Sequence, residues 1–113
     1  TVAGLTGVGG LEEAQKRGIY SIGVDSDQFF LAEKSVISSM VKNIDIALYN
    51  ATKTYIDSNK KFPKKDMVFG LQDGGVGLAP IHLIDLSDEQ QKQLEDLKQK
   101  LISGDIKITL QGS

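Results

Sequence analysis

The chemistry-bearing feature of this chain is a carboxylate at the end of a short apolar run. Tyr20-Ser21-Ile22-Gly23-Val24 leads into Asp25-Ser26-Asp27-Gln28, the pattern by which a buried strand delivers an acidic group to the rim of a sheet. Ligands of open α/β sheets sit beyond the carboxyl ends of strands, so Asp25 is the first candidate for ligand contact. Asp27 suits a different task, accepting backbone N–H bonds as a cap of the following segment. A calcium loop does not fit, because Phe29 and Phe30 stand where such a loop continues with oxygen ligands and a glycine. Lys42 is the second candidate. A cation just before a helix opposes the positive end of the helix dipole unless something answers it, and Asp25, a ligand hydroxyl or water could do so.

A third group lies in Gly4-Leu5-Thr6-Gly7-Val8-Gly9-Gly10. A glycine turn lets backbone approach a ligand, and the free amides of a helix start favour oxygen-rich groups. No nucleotide fingerprint is complete here. The Gly-Lys-Ser/Thr ending of a phosphate loop is absent, and Glu12 stands where a dinucleotide motif read from Gly7 and Gly9 needs its third glycine. Asp73 sits in the turn Gln72–Gly77 and reads as structural. His82, the single histidine, has no neighbouring nucleophile or second ligand in the sequence and reads as a structural or surface residue.

The elements that must position these groups alternate between strand and helix. Residues 1–10 read as a strand end and flexible turn, Leu11–Arg17 as a short helix closed by Gly18, Tyr20–Val24 as a strand, and Val36–Val41 as a second, β-branched one. Asn43 or Asp45 can cap a helix running to about Asn59, with Ile44, Leu48, Ala51 and Tyr55 at helical spacing. Met67–Leu71 reads as a third strand, Gln72–Gly77 as a turn and Ile81–Ile84 as a short strand. Ser87 with Gln90 forms a capping-box signal, Leu94, Leu97, Leu101 and Ile102 a core stripe, Gly104 a helix stop and Asp105–Ile108 a last strand. The alternation predicts an α/β fold with a mostly parallel sheet flanked by helices.

Composition narrows the class. The 113 residues make one domain's worth of chain, 40% hydrophobic and 25% charged, as in ordinary globular proteins. A net charge of -2 offers no electrostatic footprint for nucleic acid. The absence of cysteine removes disulfides and thiolate metal sites, and no metal or other cofactor is expected. No apolar run approaches the roughly 20 residues that span a bilayer. Lacking an initiator Met and opening at a strand end, the chain reads as a piece of a longer protein.

Three ordered motifs then carry a resemblance over nearly the whole chain. Ile22–Gln28, Ser39–Asp45 and Phe69–Leu78 resemble the basic membrane protein family of substrate-binding lipoproteins, which includes the purine nucleoside receptors of ABC transporters. The resemblance implies part of a type I periplasmic-binding-protein fold, in which two α/β lobes close on a ligand. Residues 1–113 would be a C-terminal portion, mostly of the C-terminal lobe, with about 43–60 crossing to the N-terminal lobe. Outside the intact protein that crossing helix would expose its partner face and invite self-association.

Carried over by motif, Asp25 would accept hydrogen bonds from ribose hydroxyls and Lys42 would donate to the same sugar. Gly7 and its neighbours Thr6 and Gly4 would line the pocket beside the base, though Leu5 stands where the family's turn has a small residue. The implied protein is a non-enzymatic, extracytoplasmic bacterial lipoprotein. Its partners would be a purine nucleoside and an ABC permease, with the membrane reached only through an N-terminal lipid anchor. Two alternatives remain. One is a stable fragment that binds nothing, and the other a small nucleoside- or phosphate-handling enzyme with Asp25 as general base and Lys42 as electrostatic stabiliser, which lacks an evident nucleophile or metal.

Overall fold

The computed structural model describes residues 4–109, so the expected strand end at Thr1–Ala3 and residues 110–113 lie outside the described residues. The described elements are α1 (Leu5–Lys16), β1 (Ser21–Asp25), β2 (Val36–Lys42), α2 (Ile44–Asp57), β3 (Val76–Leu78) and α3 (Asp88–Ser103). A single 3-10 turn, Phe29–Leu31, lies between β1 and β2. The sheet has the order β1-β2-β3. β1 and β2 pair in parallel, as expected, while β3 runs antiparallel to β2. The unit is therefore α/β, with helices flanking a mixed sheet.

α1 begins earlier than the sequence suggests. Gly7, Gly9 and Gly10 lie inside the helix rather than in a turn. Each interior glycine disfavours a helix by about 1 kcal/mol relative to alanine, and burial of Leu11 and Gly7 on the same face offsets that here. The helix ends at Gly18 as expected. Its φ of 64° lets the Ile19 N–H reach the Ala14 carbonyl and the Gly18 N–H reach that of Gln15, the paired bonds of a Schellman motif.

The segment Met67–Leu71 is not a strand. It joins neither outer edge of the described sheet, whose order is β1-β2-β3. Its polar groups turn inward instead: the Gly70 N–H donates to the Asp73 carboxylate, and the Gly70 carbonyl accepts from Gly75. Part of the expected turn, Val76–Gly77, is thus the strand. Ile81–Ile84 is not a strand either, because Leu83 has a φ of 65° and Ile84 N–H bonds back to the His82 carbonyl, closing a γ-turn. Asp105–Ile108 forms no strand; the Ile106 N–H closes on the Lys100 carbonyl of the preceding helix end.

α2 occupies its expected span, but not by the expected caps. The Asn43 side chain donates to the Gly74 carbonyl, leaving α2 without a side-chain cap, and Asp45 in the first turn acts only as a charge near the helix start. α3 matches its signals. Ser87 Oγ accepts from the Gln90 N–H while Gln90 Oε1 accepts from the Ser87 N–H, and Gly104 ends the helix at φ 83°.

The core is small. Leu11, Ala32 and Val36 form a buried cluster, joined in burial by Val24 and Ala79. The α3 stripe expected as core is not buried: Leu94 is 40% and Leu97 48% exposed. α2 likewise buries no residue, and Ile44, Leu48 and Ile56 each stand about two-thirds exposed. The radius of gyration is 17.1 Å, against about 13 Å for a compact domain of this length. An apolar helix face without cover is stable only against a partner surface.

Candidate functional site

Parallel pairing places the carboxyl ends of β1 and β2 side by side. Asp25 is the last residue of β1 and pairs in register with Val41, and Lys42 is the last residue of β2. Their side chains meet: Lys42 Nζ lies 2.7 Å from Asp25 Oδ1. Asp25 therefore answers the cation that precedes α2. Both side chains are about half exposed, and an ion pair so solvated stabilises a fold by no more than about 1 kcal/mol. Its groups thus remain open to a ligand.

Asp25 also carries an unusual backbone. Its φ is 73°, in the left-handed region that costs a residue with a side chain about 1–2 kcal/mol. The turn is clamped on both sides. Gln28 Oε1 accepts from the Val24 N–H, and Ser39 Oγ accepts from the Gln28 N–H. Gly23 makes the clamp possible, because Gln28 and Ser39 occupy the space that a Cβ would take. Asp27 caps as expected, its Oδ1 accepting from the Phe29 N–H at 3.1 Å.

The glycine group is arranged differently. Gly4 is the N-cap of α1 with φ 53°, Thr6 is exposed in the first turn, and Gly7 is buried within the helix. Among the described residues no hydrogen bond or ion pair links them to Asp25 or Lys42. At the other end of α1, Gln15 Oε1 accepts from the Lys34 N–H just before β2 begins. The helix itself, 12 residues, is about 18 Å long.

Sequence reasoning set His82 aside, yet it joins this neighbourhood. Its Nε2 lies 3.4 Å from Asp27 Oδ2, and its ring stacks on Phe29 with centroids 4.0 Å apart. Fifty-five positions separate it from Asp27, so no local spacing signals the pair. A large open groove of about 1070 Å³ lies elsewhere, walled by Met40, Ile46, Val76, Leu94, Leu97 and Leu101. Neither Asp25 nor Lys42 borders it. It is the space left beneath the uncovered α3 stripe.

The family model for PnrA-like ABC transporter substrate-binding proteins matches residues 1–111. The chain belongs to this family. The PnrA-like family is one of non-catalytic binding components of transporters. This family member is 37% identical over 110 residues to basic membrane protein D of Borreliella burgdorferi, covering 94% of this chain and 32% of that protein. Among solved structures, an ABC transporter solute-binding protein from Aeropyrum pernix is similar at 28% identity with a TM-score of 0.70, covering 99% of this chain and 40% of that one. A protein described as a transcriptional activator of the comK gene from Bacillus halodurans shares the fold, with a TM-score of 0.73 at 23% identity over 88% of this chain and 34% of its own. The chain spans between 23% and 32% of the length of curated relatives it matches. Among the described residues no helix is long and apolar enough to cross a membrane.

Proposed function

We propose that this PnrA-like chain is the C-terminal portion of an ABC importer's solute receptor, which captures purine nucleosides by closing two lobes around them. The observation that carries the reading is the half-exposed Asp25–Lys42 pair at adjacent strand ends. A carboxylate accepts from vicinal ribose hydroxyls, and an ammonium donates to their oxygens, so a sugar edge engages both halves of the pair. The amide end of α1, at Gly4, Thr6 and Gly7, lines the same rim beside the base. Residues of about 43–60 cross to the N-terminal lobe, in keeping with an α2 that buries nothing within this chain. The intact receptor is extracytoplasmic, held to the bacterial membrane by an N-terminal lipid and paired with a permease.

Titration calorimetry of adenosine, guanosine, inosine and free ribose against a full-length parent and against this segment tests the reading. The parent binds nucleosides and the segment does not, because the other wall of the site comes from the missing lobe. A parent that binds none of them overturns the ligand assignment.

A further inference from the structure

The structure assigns to His82 a positioning role: through Asp27 it holds the β1 turn that presents Asp25. The inference rests on the proposed ligand role of Asp25 and adds a residue to it. The contacts form a closed circuit. Asp27 Oδ1 accepts from the Phe29 N–H, the Phe29 ring stacks on the His82 imidazole at an interplanar angle of 19°, and His82 Nε2 returns to Asp27 Oδ2. Ser39 Oγ ties the circuit to β2, reaching Asp27 Oδ1 at 3.4 Å while accepting from the Gln28 N–H.

His82 is itself anchored. Its N–H donates to the Ile37 carbonyl at 2.7 Å, the Ala79 N–H donates to the Ser39 carbonyl at 2.8 Å, and the buried Ser38 Oγ donates to the Ala79 carbonyl. The segment after β3 is thus laid along β2 and carries the imidazole to the loop following Asp25. A turn with a left-handed aspartate has a relaxed alternative, and residues in such strained conformations persist only where their surroundings over-determine them. The Gln28 clamp holds one side of this turn, and the Asp27–His82 contact holds the other.

The test uses the full-length parent and calorimetry with adenosine. His82→Leu should weaken binding roughly tenfold, within the range for residues coupled through one network. His82→Gln, which keeps a donor near Asp27, should restore most of the affinity. In an Asp25→Ala background, His82→Leu should cause no further loss, because the group it positions is gone. Equal losses in both backgrounds, or unchanged affinity in His82→Leu, overturn the inference. Should His82→Leu not fold, Asp27→Asn decides in the same way: weakened binding that vanishes in the Asp25→Ala background supports it, and unchanged affinity overturns it. A wild-type parent that binds no nucleoside refutes the proposed ligand instead. Hydrogen exchange then decides the positioning role: faster exchange at Val24 and Phe29 in His82→Leu, with α3 unchanged, supports it, and unchanged exchange overturns it.

Discussion

Replacing Asp25 separates what its backbone costs from what its side chain does. At φ 73° a residue with a Cβ bears about 1–2 kcal/mol of strain that glycine does not. Glycine gives back about 0.5–1 kcal/mol of that through its freer unfolded chain. Losing the half-exposed pair with Lys42 removes no more than about 1 kcal/mol from either variant. Asp25→Gly should therefore lie within about 1 kcal/mol of the wild type, whereas Asp25→Ala keeps the strain, loses the pair and falls about 1 kcal/mol below the glycine variant. Affinity should behave differently. Both variants lose charge-assisted bonds to the sugar worth about 1.5–3 kcal/mol, roughly ten- to over a hundredfold in nucleoside binding. Urea unfolding of the full-length parent reads the first quantity and calorimetry the second. If Asp25→Ala is more stable than Asp25→Gly by the full glycine cost of about 0.5–1 kcal/mol, the turn is not strained. If either variant keeps wild-type affinity, Asp25 does not hold the ligand.

Three further outcomes are expected. Gly23→Ala drives a methyl into Ser39 and Gln28, and overpacking of this kind should lower stability by about 1–3 kcal/mol in urea unfolding; a neutral effect would show that the clamp yields freely. Ser87→Ala removes half of the α3 capping box and should cost about 0.5–2 kcal/mol, with fraying at Asp88–Gln91 visible by hydrogen exchange. The hydrogen bond from Gln99, then the charge of Lys98, hold the Glu95 carboxyl below its usual 4.5. The small helix support it supplies is therefore present above that pH and lost as pH falls through the lowered value. A carboxyl-detected titration by nuclear magnetic resonance checks this, and Gln99→Ala should move the midpoint back up.

Local signals were legible where their physics is local. The Gly18 and Gly104 stops, the Ser87–Gln90 box and the β-branched run of β2 each depend on a few adjacent residues, and each appears at its expected place. The glycine run misled, because glycine permits a turn without requiring one, and burial of Leu11 and Gly7 drew the run into α1. Met67–Leu71 and Ile81–Ile84 misled because an apolar run does not say whether its backbone groups pair with a strand or close locally, as Gly70 with Gly75 and His82 with Ile84 do.

For the site, the sequence alone singled out Asp25 and Lys42, since a carboxylate ending an apolar strand and a cation before a helix are both visible along one stretch of chain. Tertiary structure alone decided that the two meet at 2.7 Å, because their contact depends on parallel pairing of strands separated by a crossover. It alone brought His82 to Asp27 across fifty-five positions, and it alone left the α2 and α3 stripes uncovered. Helical periodicity records that a face is apolar. Which surface covers that face is a property of chain geometry that no spacing encodes.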